Sequence, residues 1–228
     1  MAEGQGRNRR FRAPEMEGTM ARWFARQRGS PRQIIRCKEE AARFTHQLPA
    51  GAKVLEVAPG PGYLAIEIAR LGRFEVTGLD ISHTMVEIAT ENAQRAGVSV
   101  DFRRGDATMM PFTSESFDLV VCQAAFKNFR RPLNALNEMH RVLHRGRGAV
   151  IQDLSRDASD AEIDQEVQGM GLRWLSAWFT RVTLGTMLRR RAYSPTGFKR
   201  LVARSDFHAC DIHKTGISLE AQLTKSRE

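Results

Sequence analysis

No stretch of the 228 residues comes near the roughly 18 consecutive apolar residues that a membrane-spanning helix needs, which excludes a transmembrane chain. Cysteine is scarce. Cys37, Cys122 and Cys210 lie far apart with no C-x-x-C pair, so neither a disulfide scaffold nor a structural zinc site is expected, and a reducing, cytoplasmic setting is the simplest reading. No export leader is expected: Arg9-Arg10-Phe11 has the look of a twin-arginine signal, but no apolar segment follows it. Acidic residues number 26 against 35 Lys and Arg, yet the imbalance sits mostly at one end, since the first 36 residues carry a net +6 and the rest only +3. A body so nearly balanced does not suit a nucleic-acid partner.

What is present is ordinary globular composition, 42% hydrophobic and 27% charged. Residues 1–14 are Gly- and Arg-rich with a single Phe, too polar to offset the entropy of ordering, and are expected to form a disordered basic tail. A helical extension follows at 15–50. Its first helix, 15–28, carries Met20, Trp23 and Phe24, and its second, 31–47, opens on Ser30-Pro31 and carries Ile34, Ile35, Ala41, Ala42 and Phe44 at helical spacing.

From Lys53 short apolar strands alternate with helical stretches: strands at 54–58, 74–79, 98–103, 117–122 and 149–154, helices near 63–70, 84–96 and 132–143. Thr84 with Glu87 reads as a capping box, Gly97 as a C-terminal cap and Pro132 as a first-turn residue. Residues 157–192 break the rhythm with a helical insertion. A helix at 198–202 and two strands near 209–215 and 217–223, separated by Gly216, then close the chain as an antiparallel hairpin. The pattern predicts an α/β core over 51–156, completed by 193–228, with a mostly parallel sheet, helices on both faces and ligands at the carboxyl ends of the strands.

The post-strand loops therefore hold the chemistry. Glu56-Val-Ala58-Pro-Gly60-Pro-Gly62 is a tight turn opening a helix, where glycine lets the backbone turn and a ligand approach; Gly60-x-Gly62-x-x-Ala65 also satisfies a dinucleotide fingerprint, a weak match by itself. Asp80 stands 18 residues beyond Gly62, where a carboxylate can accept both hydroxyls of a ribose or cap the next helix. Gly105-Asp106-Ala107, Phe117-Asp118-Leu119-Val120 and a segment from Glu138 through Arg141 and Leu143 to Gly146 complete the set. Together these motifs resemble the class I S-adenosylmethionine-dependent methyltransferases, in particular the branch of ubiquinone and menaquinone C-methyltransferases and small-molecule methyltransferases, over roughly residues 53–154.

The resemblance implies a Rossmann-like seven-stranded sheet with a C-terminal antiparallel strand, and S-adenosyl-L-methionine as cofactor. It further implies that Ala58 to Gly62 passes the methionine part, with Glu56 holding the turn, and that Asp80 takes the ribose hydroxyls. Ile81 and Met85 would lie against the adenine, Asp106 would accept from its exocyclic amine, Ala107 would offer its backbone, and Gln123 would approach the methyl-bearing sulfur. Three positions depart from the family: Ala58 replaces the first glycine, Lys127-Asn128 replaces a frequent aromatic or histidine pair, and Arg145-Gly146-Arg147-Gly148 replaces a Pro-Gly-Gly turn.

Methyl transfer from a sulfonium is an in-line displacement with an activated donor, so alignment and exclusion of water matter more than a protein nucleophile. No catalytic base stands out, and no metal is expected, although His140 and His144 are spaced i, i+4. Acceptor-lining candidates are Trp23, Phe24, Phe126, Asn128, Trp174 and Trp178, with the aromatic segments at 15–47 and 157–192 forming an apolar lid over a small organic acceptor. RNA or DNA methylation is the competing expectation, motivated by the basic charge and Arg189-Arg190-Arg191, but no Asn-Pro-Pro-Tyr or Asp-Pro-Pro-Tyr tetrapeptide accompanies it; a non-catalytic cofactor-fold binding protein is a further alternative, disfavoured by the intact acidic Glu56, Asp80 and Asp106. The acceptor, the atom methylated and the oligomeric state are left open by the sequence.

Overall fold

In the computed structural model, which describes residues 16–169, 178 and 180–227, two helices precede the sheet: α1 (Gly18–Arg28) and α2 (Pro31–Thr45). The alternation is β1 (Ala52–Val57), α3 (Tyr63–Arg70), β2 (Phe74–Asp80), α4 (His83–Ala96), β3 (Asp101–Arg104), β4 (Phe117–Gln123), α5 (Pro132–Val142) and β5 (Leu143–Leu154). The insertion contributes α6 (Asp160–Gly169) and a π-helical turn, Thr183–Leu188, running on into Arg189–Arg191. Then come α7 (Pro195–Val202), β6 (Asp211–Thr215) and β7 (Ser218–Thr224). The expected tail at 1–14 and the expected lid residue Trp174 lie outside the described residues. No helix among the described residues is long and apolar enough to cross a membrane.

The strands form one sheet in the order β3-β2-β1-β4-β5-β7-β6, in which β7 alone runs antiparallel to its neighbours. Both faces are covered, which is why β1 and β4 read as nearly continuous apolar runs. On one face Leu55, Val57 and Val120 pack with Leu136 and Met139 of α5 and Phe198 of α7; on the other Val54 and Val121 pack with Cys37 and Ala41 of α2 and Leu64 and Ile68 of α3. The insertion has a small core of its own, Ile163, Val167 and Ala192 against Leu154 and Ala158.

Local chemistry sets the helix starts. The Ser30 hydroxyl accepts from the Gln33 amide ahead of Pro31, and the Ser194 hydroxyl accepts from the Gly197 amide ahead of Pro195. Gly97 closes α4 in the left-handed region, as its position suggests. The capping box expected at Thr84 and Glu87 does not form: Ser82 is the cap, accepting from the Met85 amide at 3.0 Å, while Thr84 is engaged by Glu17 and Glu87 pairs with His83. The turn expected at Arg145–Gly148 is also corrected. It is an irregularity inside β5, where the β4 register jumps from Phe117↔Leu143 to Leu119↔Gly148; Gly146 at φ +73 and exchanged bonds with Lys225 keep it in the sheet. The final hairpin turns on two residues, Gly216 and Ile217, with Gly216 at φ +54 as the tight turn requires.

Candidate active site

Three residues between β1 and α3 hold left-handed backbone, Ala58 at φ +56, Gly60 at +54 and Gly62 at +79. Gly62 has no alternative, because a Cβ there would lie 2.6 Å from the Phe102 ring and 2.9 Å from the Ala89 methyl. Ala58 carries the conformation at a cost of about 1–2 kcal/mol. Ala58→Gly is therefore expected to raise stability by about 0.5–1 kcal/mol, the rest being lost to the freer unfolded glycine, and a denaturant midpoint measurement checks it.

Two buried carboxylates brace this turn. Asp80 Oδ2 accepts from the Gly60 amide at 3.0 Å and Oδ1 from the Ser82 amide at 2.9 Å, tying the first loop to the second. Burial pushes the Asp80 carboxyl above its usual range, against the pull of those backbone bonds. Beneath it Glu56 Oε2 accepts from the Ala65 amide at 2.8 Å, in the first turn of α3, and burial pushes its carboxyl up to about 8.

A cavity of about 690 Å³ opens over the carboxyl ends of β1, β2, β4 and β5 and the loop after β3. Of the residues expected at the site, Ala58, Ile81, Asp106, Ala107, Gln123, Phe24 and Asn128 line it. Glu56, Gly60, Gly62 and Asp80 form the layer behind that lining. Met85 is buried within α4, its amide held by Ser82. Phe126 is a correction: it is fully buried in the core among Phe129, Tyr193 and Phe198, because the short 3-10 turn Phe126–Asn128 after the central strand β4 turns the ring into the core. Trp23 and Trp178 are exposed, 51% and 63%, and neither lines the cavity. His140 packs edge-on against Phe207, 5.0 Å between centroids, and burial lowers its pKa.

Several side-chain contacts at the site join residues far apart in sequence. Lys127 and Asp153 form an ion pair at 2.7 Å with side chains only 6% and 7% exposed, and both line the cavity. A chain of polar contacts runs from Arg36 through Glu40, Gln123 and Gln152 to Glu220, where Arg43 closes it with two bonds of 2.7 and 2.6 Å. The Gln123 amide is thus already engaged by Glu40 and Gln152. Arg36 also reaches Glu166 of α6 at 3.5 Å, so extension and insertion meet at the cavity. The segment before α1 is hooked on as well: Glu17 accepts from the His83 and Thr84 amides at 2.9 and 3.0 Å, and Ser82 donates to the Met16 carbonyl at 2.8 Å. The Thr84 hydroxyl, which also donates to Glu17, and those two amides pull the Glu17 carboxyl down to about 2.

Two motif positions brace the scaffold instead of facing the cavity. Asp118 accepts from the Lys53 amide at 3.0 Å at the start of β1, and Glu138 accepts from the Met110 amide at 2.6 Å while Arg141 donates to the Phe112 carbonyl at 2.8 Å, clamping the loop before β4.

Sheet order, a reversed β7 between β5 and β6, and a cavity at the strand ends are those of the Rossmann-like fold of S-adenosylmethionine-dependent methyltransferases. Residues 55–151, a little under half of the chain, match the family model described as Methyltransferase domain. The chain is 37% identical over 108 residues to a demethylmenaquinone methyltransferase of Deinococcus radiodurans, a match covering 47% of this chain and 45% of that protein. It is 33% identical over 110 residues to the ubiquinone/menaquinone biosynthesis C-methyltransferase of Roseobacter denitrificans, covering 47% and 44%. These matches span a little under half the length of either relative. Across the whole fold the chain superposes with a TM-score of 0.69 on a solved putative S-adenosyl-L-methionine-dependent methyltransferase of Methanococcus maripaludis, 18% identical, covering 100% of this chain and 98% of that one.

Proposed function

We propose that this chain transfers the methyl group of S-adenosyl-L-methionine to a small, largely apolar or aromatic metabolite, at carbon, oxygen or nitrogen. The observation that carries the reading is the convergence of four post-strand loops on one cavity through Ala58, Ile81, Asp106–Ala107 and Gln123. Asp80 accepts backbone amides and keeps lone pairs that suit the ribose hydroxyls. Arg28 lines the same cavity and has no carboxylate at ion-pair distance among the described residues, which suits the methionine carboxylate. Ile81, 45% exposed in this structure, offers an apolar face to the adenine.

The cofactor supplies a methyl group already activated on a sulfonium. The chain's own work is then to hold the acceptor in line and to keep water out. Met16 and Phe24 from the extension and Leu184 and Leu188 from the insertion line the cavity, so both segments serve as the cover. All three cysteines are free, with Cys37 and Cys122 buried, in keeping with the reducing cytoplasm as the site of action.

Calorimetric titration tests the reading. S-adenosylhomocysteine should bind and nicotinamide dinucleotides should not; tight NAD binding without S-adenosylhomocysteine binding would overturn it. Asp80→Ala should weaken S-adenosylhomocysteine about ten- to a hundredfold, since hydrogen bonds to a charged acceptor contribute about 1.5–3 kcal/mol. Radiolabelled transfer from the cofactor should enter a small-molecule extract and not total RNA.

A further inference from the structure

Three arginines that line the cavity have no carboxylate at ion-pair distance among the described residues. Arg130 and Arg131, between the 3-10 turn and α5, and Arg191, at the end of the insertion, all line it, and none makes an ion pair among the described residues. Of the neighbouring triplet members, Arg189 pairs with Asp160 at 2.8 Å, and neither Arg189 nor Arg190 lines the cavity. Two acids of the lining are already ion-paired, Asp153 to Lys127 and Glu166 to Arg36, and the third, Asp106, accepts from the Thr108 amide and pairs with none of the three arginines.

The end of α5 adds to this positive field. Its cap position is Arg131 itself, which makes no side-chain capping bond, and its first turn contains no acidic residue. Arg130, Arg131 and Arg191 are exposed at the rim of the cavity; cations at the positive end of a helix dipole are placed against the usual preference, and like charges gathered at one rim repel one another. An anion seated there relieves both. Guanidinium groups match the oxygen pairs of a carboxylate or a phosphate. Phe129, Leu184 and Leu188 of the same lining are apolar, so the occupant must be amphiphilic.

We infer, resting on the methyltransferase reading, that the methyl acceptor carries an anionic group, a carboxylate or a phosphate ester, held by Arg130, Arg131 and Arg191 while its apolar part enters the cavity. The test uses the full chain saturated with S-adenosylhomocysteine and three probes sharing one ring system: 2-naphthoate, 2-naphthyl phosphate and neutral 2-naphthamide. One or both anions should bind at least tenfold more tightly than the amide, and which of the two leads identifies the group. In the triple variant Arg130→Gln, Arg131→Gln, Arg191→Gln the preference should vanish with the affinity for S-adenosylhomocysteine unchanged, which also shows that the variant is folded. Equal binding of anion and amide, or a preference that survives the triple variant, overturns the inference. Displacement of naphthyl phosphate by a short single-stranded RNA at lower concentration than by free naphthoate would likewise overturn it, in favour of a polyanion. Failure of the unaltered chain to bind S-adenosylhomocysteine would instead overturn the methyltransferase reading on which it rests.

Discussion

Lys127→Met should destabilise the protein by about 3–5 kcal/mol, the usual cost of removing one partner from a buried ion pair. Nothing else can take its place. The Lys127 ammonium reaches Asp153 at 2.7 Å and the Ala124 carbonyl at 2.6 Å, and the Lys127 amide bonds the second Asp153 oxygen at 2.8 Å. With methionine there, the Asp153 carboxylate keeps only backbone amides, those of Lys127 and Leu154, in a site almost closed to water. Adding Asp153→Asn removes the stranded charge and leaves a carbonyl for one of those amides, so the double variant should recover at least half of the loss. Denaturant unfolding of the two single variants and the double one checks this, and additive losses would show that the pair is not coupled. The position matters because this pair fixes the ends of the adjacent strands β4 and β5 where they border the cavity, next to Ala124 in left-handed backbone at φ +56.

Glu56→Gln should abolish a pH dependence of stability centred below neutrality. Burial is the largest cause that pushes the Glu56 carboxyl up to about 8, with nearby Asp80 adding to it and the Ala65 amide opposing it. A carboxyl whose folded pKa lies above its unfolded one contributes stability that is complete below about pH 4.5 and is lost as pH rises to about 8. In that window the slope approaches about 1.4 kcal/mol per pH unit. Glutamine keeps an oxygen for the Ala65 amide and cannot ionise, so the stability difference between the variant and the unaltered chain should grow in the variant's favour from pH 5 to pH 8. Parallel stability curves over that range would show that Glu56 is already ionised in the fold.

Strand and helix order, the glycine turn and the acidic residue after the second strand were all legible in the sequence, because each rests on local rules. Period-two and period-3.6 apolar patterns set the elements, and Ser-Pro or glycine punctuation set most of their ends. Even the reversed β7 followed from a turn too short for a crossover. What local rules could not reach was contact between residues distant in sequence. Thr84 is a good cap candidate by neighbourhood, yet Glu17, 67 positions away in sequence, captures it and hands the cap to Ser82. Phe126 reads as a lining aromatic and is fully buried core, since the 3-10 turn decides which way its ring points.

The site divides in the same way. Sequence alone marked Ala58, Asp80, Asp106 and Gln123, whose places follow from the ends of strands. Only the tertiary structure brought Lys127 to Asp153, joined Glu40 to Gln123 and Arg36 to Glu166, and set Arg130, Arg131 and Arg191 around one cavity without acids to pair them. The physical reason is that electrostatic partners are selected by distance and burial after folding, and those depend on how the extension and the insertion pack over the strand ends, which no periodicity encodes.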